Sequence, residues 1–553
     1  MKKLYKTLLL AFAMSTAVAQ SGFWTPTSYK GAFAPSPTPM WTDSWTEWDP
    51  INKVYPSTNL TVSSNITTNT TWSTGQVVLL KGPIYVKNNA VLTIQPGVII
   101  KGEKATAGSA LIITKGAQIN AIGTASQPIV FTTDQAPGAI NRAIGDWGGL
   151  VLLGKGALNL AGGLANIEGL PVSSDSEYGG GTTPNNNDNS GILSYVRIEF
   201  GGYVYATNKE INGLTLGAVG NATQIDHVQV SYTNDDAFEW FGGSVNAKYL
   251  VSFRNLDDDF DTDNGWNGNV QFGLIVRDPA LADNPSVSTS EGFESDNDAT
   301  GSTATPQTSG MFSNITGVGP YRGSSATSVA TGYRRALRLR RNTALKIFNS
   351  VFMDFKTGIF IDGSLADANA NSGALKFKNN LIATTSGVTP KTVETTTANA
   401  FVNPTWFAAQ SNDSLNTSNN ILTTPWNYTS PDYRPVSSNS LVTSGANFGD
   451  PSFASAGILS VNNLDEFAVQ LAVYPNPNSG SANILINAKN VFELNVSVYS
   501  ITGQLMAAPI VNYSINEGMQ ILPLNLNELA NGIYFVTISN GTKTESIKMI
   551  VNK

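Results

Sequence analysis

The chain has 553 residues with no cysteine and one histidine, His227, which excludes thiol nucleophiles, disulfides and Cys/His zinc sites. A Ser-His-Asp triad would depend on that single histidine, and the net charge of -7 argues against a nucleic-acid partner. Charged residues make up only 13% of the chain and there are 51 glycines, which is typical of a β-rich exported protein with many turns.

Residues 1–19 are typical of a secretory signal peptide. Three lysines precede a short apolar stretch, which ends in the small-residue motif Ala-Val-Ala. This order of segments predicts export with cleavage between Ala19 and Gln20. The apolar stretch is far shorter than the ~20 residues that span a bilayer, and no later run is longer, so we expect no transmembrane segment in the mature chain.

The tryptophans of residues 20–75 include Trp24, Trp41, Trp45 and Trp48. The open end of a repeat protein exposes unpaired strand edges, so we predict that this segment caps the N-terminal end of the repeat that follows. The alternative is that these aromatic side chains form a sugar-binding surface.

From residue 76 the sequence is self-similar. Residues 92–100 and 111–119 both fit L-x-I-x-x-G-x-x-I, and short β runs separated by polar turns continue beyond them. A period of about 20 residues with short strands indicates a solenoid, whereas the leucine-rich and helical repeat patterns are absent. Residues 91–131 resemble the early coils of right-handed parallel β-helix proteins. This resemblance implies an all-β fold in which 76–450 form a parallel β-helix.

Some segments interrupt the repeat. Residues 161–190 and 281–332 are poor in apolar side chains and are predicted to be loops that project from the coils. Residues 431–435, Pro-Asp-Tyr-Arg-Pro, resemble the terminal cap of such helices, which would cover the last strand edges. Residues 451–470 are predicted to be a linker.

Acidic residues concentrate at 234–298, where a phenylalanine followed by an acid occurs three times. The pairs are Phe238-Glu239, Phe260-Asp261 and Phe293-Glu294. The first two pairs are one coil apart, at a spacing of 22 residues. Because side chains alternate along a strand, we predict that the phenylalanines stack inside the coils and that the acids form an outward column.

Two kinds of positive charge would compensate this column. One is Ca²⁺, which binds carboxylate oxygens. The predicted calcium ligands are Asp257, Asp259, Asp261, Asp263, Glu239 and Glu294. They are chosen because alternate residues of an extended segment share one face. The other is a ladder in which Arg338 and Arg340, from the basic run 334–341, pair with the acids.

The β-helix resemblance also implies an enzymatic alternative. Polysaccharide lyases of this fold hold calcium with aspartates and use an arginine or lysine as base, and glycoside hydrolases use outward carboxylates. The candidate catalytic residues are Asp236, Glu239, Asp261, Glu294 and Arg338. The distinctive motifs of both enzyme classes are absent, and a fold alone does not imply a reaction. We expect His227 to be structural, because no triad partners are recognisable.

The C-terminal segment, 471–553, is predicted to be a small Ig-like β-sandwich, because short alternating strands are separated by turns. It contains YPNPNSG at 474–480, VYSITGQ at 498–504 and LANGIYFVTIS at 529–539. With the basic last strand, these motifs resemble the type A C-terminal sorting domain of the type IX secretion system. The resemblance implies that machinery as a partner and a secreted or cell-surface location.

Two functions therefore remain open at this stage. The first is a non-enzymatic surface protein that binds carbohydrate or surface matrix, or has a structural role. The second is a polysaccharide lyase or glycoside hydrolase that acts through the acidic face at 235–298.

Overall fold

The computed structural model describes residues 23–206, 209–286, 288–322, 328–383, 391–395, 404–455, 468–474, 478, 480–488, 491–500, 504–516, 518–540, 544–551 and 553. These residues form two compact units, Pro26–Phe448 and a second unit that comprises the rest. The predicted signal peptide and its cleavage site at Ala19 and Gln20 lie outside the described residues. Among the described residues, no helix is long and apolar enough to cross a membrane.

The larger unit is a parallel β-helix, as the repeat predicts. One of its sheets, which we call the acidic sheet, has ten parallel strands. They are Pro83–Val86, Ala110–Ile113, Leu150–Leu153, Leu214–Gly217, Phe238–Phe241, Phe260–Asp263, Phe293–Ser295, Arg335–Arg340, Thr357–Asp362 and Lys391–Thr395. Every described pairing between neighbouring strands of this sheet is parallel, so each strand belongs to a successive coil.

The other faces of the coils form a bent sheet of 17 strands. They are Leu60–Val62, Thr70–Trp72, Val77–Leu80, Val91–Ile94, Ile99–Gly102, Gln118–Ile122, Ile129–Thr133, Gly191–Glu199, Gln224–Ser231, Asn246–Phe253, Asn269–Val276, Met311–Val318, Lys346–Phe348, Val351–Met353, Lys376–Lys378, Leu381–Ala383 and Asp413–Leu415. The prediction that 281–332 is a loop is wrong in part, because this segment contains one strand of each sheet. They are Phe293–Ser295 of the acidic sheet and Met311–Val318 of the bent sheet. Polar residues such as Ser313 and Asn314 are fully buried there because the N-terminal segment covers them.

Short elements complete the two units. The helices are Ala161–Gly163 (3-10), Ser364–Ser372, Pro404–Ala409, Ser440–Thr443 and Pro451–Ser455. Short antiparallel pairs join Ala165–Asn166 to Glu177–Tyr178, Val204–Ala206 to Lys209–Glu210, and Leu422–Thr424 to Asp432–Pro435. The last helix lies within the predicted linker, of which residues 456–467 are outside the described residues.

The predicted phenylalanine ladder lies in the core of the β-helix. Phe238 pairs in register with Phe260, which pairs with Phe293, and all three side chains are fully buried. Their ring centroids are 5.5 and 5.2 Å apart. Aromatic contacts at this distance add ~0.5–1.5 kcal/mol per pair beyond burial of area, so the ladder holds successive coils of the acidic sheet in register.

The long strands of the bent sheet each turn at a residue with positive φ. Tyr195, His227, Tyr249 and Phe272 occupy this corner in successive coils, with ring centroids 4.3, 4.5 and 5.0 Å apart. Asparagines, which tolerate this backbone region better than most residues, continue the corner at 314, 349 and 379. His227 is thus one member of an aromatic stack, which agrees with a structural role.

The expectation that this region caps the N-terminal end of the coils is wrong for residues 26–56, which lie along the side of the coils. Trp45 packs edge-on against Tyr195 and His227 of the corner stack. The segment extends from Lys30, paired with Asp413 at 2.9 Å, to the ring of Tyr55 near Glu199. The aromatic side chains of the segment pack against this corner, where their area is buried. We call residues 26–56 the N-terminal strap.

The element at 431–435, expected to be a terminal cap, also lies against the side. Tyr433 is fully buried and contacts Phe33 and Trp48 of the strap, with centroids 6.0 and 5.6 Å apart. Trp24 belongs to the other unit, where it packs against Phe453. The tryptophans of 20–75 are therefore packing residues and not an exposed sugar-binding surface.

The second unit contains seven antiparallel strands in two sheets. One sheet has Ala468–Tyr474, Ser481–Ala488 and Gly518–Asn525, and the other has Phe492–Ser500, Leu505–Ile515, Gly532–Ser539 and Thr544–Val551. Alternate residues such as Val496, Val498, Val536 and Ile538 are fully buried in a core of this unit. The alternation read from the sequence thus produces a small domain with one apolar core.

Candidate acidic site

The acidic sheet carries the predicted column of carboxylates. Glu239 pairs in register with Asp261, which pairs with Glu294 on the next strand. Arg338 follows Glu294, and Thr215 precedes Glu239. The outward positions of five successive coils therefore carry a hydroxyl, three carboxylates and a guanidinium.

Most of the column is buried rather than exposed. Glu239 is 5% and Glu294 8% exposed, whereas Asp261 between them is half-buried, and the neighbouring Asp236 is 7% exposed. Loops from three coil boundaries approach it and bring further carboxylates, Glu168, Glu210 and Asp283, whose charges act on Asp235. These three acids could not be assigned to the site from the sequence, because loop residues have no periodicity that would place them.

Five of the acids form two overlapping groups, in each of which carboxylate oxygens lie within 4.8 Å of one another. One group is Asp235, Asp236 and Asp257, and the other is Asp236, Glu239 and Asp261. Asp236 belongs to both groups. Asp235 was missed from the sequence, although it precedes Asp257 by the same 22 residues that separate Phe238 from Phe260.

Several buried oxygen atoms around these groups have no hydrogen-bond partner in the part of the chain that the structure describes. They are Oδ1 of Asp257, Oδ1 of Asp261, Oδ1 of Asn212 and Oγ1 of Thr215. The side-chain amide of Asn212 donates to Glu239, which places Asn212 at the site. Buried polar atoms in proteins almost always have partners, so this cluster of acceptors lacks a donor or a cation.

Burial and mutual repulsion dominate the electrostatics of the site. Both effects raise the pKa of Asp235 to about 8, and they raise the pKa values of Asp236, Glu239 and Asp261 well above the ordinary carboxyl range. The desolvation of the charged form is the largest cause for each group. Without a compensating cation, the site therefore retains protons at neutral pH.

Asp259, a predicted calcium ligand, lies elsewhere. It is fully buried in an ion pair with Arg277, with Nε and Oδ2 2.7 Å apart, and also accepts a hydrogen bond from Ser252. The chain turns before the strand starts at Phe260, so the outward alternation does not extend back to residue 259. Burial raises the pKa of Asp259 to about 7 against the lowering effect of Arg277.

Asp263 does face outward at the end of its strand but belongs to neither acidic group. It accepts a hydrogen bond of 2.6 Å from the backbone N–H of Asn264. Burial and the nearby charge of Asp296 raise the pKa of Asp263 to about 7. It is therefore a peripheral acid of the site.

Arginines compensate the other half of the column. Arg338 lies 3.4 Å from Glu294 and 3.0 Å from Asp362, and Arg340 lies 2.7 Å from Asp296 and also pairs with Glu294. Arg340 and Arg338 oppose the rise in the pKa of Glu294 that burial causes. Among the described residues, no lysine or arginine forms an ion pair with Asp236, Glu239 or Asp261.

The segment 360–362 is not a further copy of the phenylalanine-acid pair. Phe360 occupies the outward position beside Arg338, and the guanidinium of Arg335 lies 4.0 Å from its ring centroid. Ile359 and Ile361 fill the inward positions instead. The column of acids thus ends where the arginines begin.

Residues 64–428, well over half of the chain, match the family model of the pectate-lyase-like β-helix domain. The chain belongs to this family. Residues 472–552 of this pectate-lyase-like β-helix protein match a secretion system C-terminal sorting domain. It is therefore a type IX secretion substrate, exported to the cell surface or released, and that machinery is its partner.

Two solved structures are similar to this pectate-lyase-like protein at low identity. The Dettilon tailspike protein (gp208) has 9% identity, covers 81% of this chain and 86% of its own, and has a TM-score of 0.23. Tailspike protein 2 (TSP2, ORF211) from Escherichia coli O157:H7 bacteriophage CAB120 has 10% identity and a TM-score of 0.15. The match covers 86% of this chain and 65% of the tailspike chain. No curated protein matches the chain.

Proposed function

We propose that this exported β-helix protein binds carbohydrate of the cell surface or its surrounding matrix through the acidic sheet, and that Ca²⁺ bound there completes the site. The observation that carries the proposal is the group formed by Asp236, Glu239 and Asp261. Its carboxylates are close together and have no cationic partner among the described residues.

Calcium fits the chemistry of this group. Ca²⁺ takes six to eight oxygen ligands in flexible geometry, and carboxylates with neutral oxygens supply them. Asn212 and Thr215 add unpartnered neutral oxygens beside Glu239. A bound divalent cation would lower the pKa values of the acids and remove their repulsion, so cation and ionised carboxylates stabilise each other.

An exposed aromatic side chain on a hairpin whose Glu210 acts on the site supports a carbohydrate ligand. Tyr205 is 50% exposed on the short hairpin that also carries Glu210, one of the acids acting on Asp235. A tyrosine offers a sugar ring both an apolar face and a polar end. Calcium and Tyr205 would together bind sugar hydroxyl groups and the apolar face of a ring.

The proposal is tested on the purified mature chain with a glycan panel, in Ca²⁺ and in EDTA. We expect glycan binding that Ca²⁺ strengthens, that Asp261→Asn abolishes, and that Asp49→Asn, a change at an exposed acid outside the site, leaves intact. The role of the site would be contradicted if the unchanged chain in EDTA and the Asp261→Asn variant both bound glycan as strongly as the unchanged chain does in Ca²⁺.

The raised pKa values favour a second candidate, a polysaccharide-degrading enzyme. A carboxyl group that keeps its proton near neutral pH, as Asp235 does with a pKa of about 8, is suited to act as a general acid beside an ionised neighbour. The same glycan panel tests this by product release. If the unchanged chain releases oligosaccharide and the Asp236→Asn variant does not, the protein is an enzyme and not only a carbohydrate-binding protein.

A further inference from the structure

A separate cavity lies at the arginine end of the column. It is open to solvent and has a volume of about 330 Å³, and its lining includes Arg338, Arg340, Arg341 and the start of the helix Ser364–Ser372. We call it the arginine cavity. The sequence analysis placed Arg341 in the basic run 334–341 but assigned no role to it, and it did not identify this helix.

The three guanidinium groups are held by carboxylates. Glu294, Asp296 and Asp362 bind Arg338 and Arg340 through several N–H groups. Arg341 bonds Asp296 at 2.7 Å through Nη1, and its side chain remains 42% exposed. The carboxylates therefore orient the guanidinium groups, while part of Arg341 still faces the cavity and solvent.

The helix contributes a second set of donors. Its first backbone hydrogen bond runs from the N–H of Asp367 to the carbonyl of Gly363, so residues 364–366 donate to no preceding turn of the helix. Gly363 at the N-cap has no side chain that could cap them. The N–H groups at a helix start point along its axis and carry a partial positive charge, which favours an anion.

We propose that the arginine cavity binds a tetrahedral oxyanion, a sulfate or phosphate group carried by the glycan. Glu294, Asp296 and Asp362 balance the charge of the three arginines, and Asp367 adds a carboxylate in the first turn of the helix. Directed hydrogen bonds from the strand side and the helix side therefore supply the affinity. Oxygens that point in several directions satisfy donors from both elements, whereas a planar carboxylate pairs best with one guanidinium edge.

The link to the glycan rests on the proposed function. Arg338 lies two strands from Asp261 in the same outward column, which is ~10 Å at the usual strand spacing. One saccharide chain would therefore contact the acidic groups and place a substituent in the arginine cavity. The anion site itself requires no glycan and is measured alone.

The first test titrates inorganic sulfate, and separately phosphate, into the full mature chain by calorimetry. We expect saturable binding that Arg341→Gln weakens about tenfold, a loss of ~1.4 kcal/mol. Ser364→Asp should abolish it, because this change places a carboxylate at the helix start. An acid there also favours the helix, so its melting temperature should not fall and misfolding is separated from loss of the site. Arg434→Gln, a change outside the cavity, should bind as the unchanged chain does.

Sulfate binding that is unchanged in Ser364→Asp would overturn the proposal and indicate an adventitious ion only. The second test compares a sulfated glycan, a phosphorylated glycan and their unsubstituted forms. Stronger binding of one substituted form, lost in Arg341→Gln, identifies the substituent and supports the proposal. Equal binding of all forms overturns the proposal that the arginine cavity binds a substituent of the glycan, and it leaves the proposed function intact. Sulfate binding in a chain that binds no glycan would instead retain the anion site and remove the proposed function.

Discussion

Glu239 and Asp261 stand side by side on neighbouring strands of the acidic sheet, and neither carboxylate forms an ion pair with a lysine or arginine of the described chain. The next acid in the same column, Glu294, is held by two arginines. The column is therefore divided into an arginine-compensated half and an uncompensated half. This division concentrates the expected chemistry at Asp236, Glu239 and Asp261.

The first prediction concerns pH. Folding raises the pKa values of Asp235, Asp236, Glu239 and Asp261, so the folded state holds protons that the unfolded state has released. This stability is fully present below about pH 4, the unfolded range, and is lost as the pH rises through the folded values, about 8 for Asp235. In EDTA we expect the melting temperature to fall between about pH 5 and pH 8, and calcium to restore it. A flat profile in EDTA would contradict the account.

The second prediction is that Asp236→Asn has opposite effects on the free energy of unfolding in EDTA and in calcium. Folding in EDTA at neutral pH must either protonate Asp236 or bury its charge, and asparagine avoids both. The variant should therefore be more stable than the unchanged chain, by ~1.4 kcal/mol per unit of the pKa rise that it avoids. In calcium the order should reverse, because the unchanged chain gains ~2.7 kcal/mol at 100 times its Kd. Urea unfolding in the two buffers measures both. The control Asp49→Asn should follow the unchanged chain in each.

The third prediction concerns the phenylalanine ladder. Phe260 is fully buried between Phe238 and Phe293, so Phe260→Ala should lower the free energy of unfolding by ~3–5 kcal/mol. Calcium affinity should fall as well, since Phe260 fixes the strand that presents Asp261. Ile140→Ala, at a fully exposed position, should change stability by less than ~0.5 kcal/mol. Unchanged calcium affinity in a folded Phe260→Ala protein would show that the ladder does not position the acids.

The fourth prediction concerns the N-terminal strap. Trp45 is buried against Tyr195 and His227, and its indole N–H donates to the carbonyl of Trp41 at 2.8 Å. Trp45→Ala should cost ~3–5 kcal/mol, with hydrogen exchange becoming faster at the corner residues 195, 227 and 249. Calcium binding should persist, because the strap lies on the bent sheet. A variant as stable as the unchanged chain would mean that the strap adds little to the fold.

The repeat and the column were predictable from the sequence. The 22-residue spacing determines the register of neighbouring strands, and strand alternation determines which side of the sheet each side chain lies on. Periodicity does not show where a strand begins, which is why Asp259 was placed on the outer face although it lies inside with Arg277. Glu168, Glu210 and Asp283 reach the site from loops, and only the tertiary structure brings them there. The position of the N-terminal strap could not be predicted for a similar reason, because its contacts join residues as distant in the sequence as Lys30 and Asp413.

The most direct test of the central claim is a calorimetric titration of Ca²⁺ into the EDTA-treated and dialysed mature chain, beside Asp236→Asn and Asp261→Asn. The account predicts saturable binding with release of protons at neutral pH, because raised carboxyl pKa values fall when the cation binds. Both variants should lose that binding, and Asp49→Asn should keep it. Equal binding in all four proteins, or none in the unchanged chain, would contradict a calcium site on the acidic sheet.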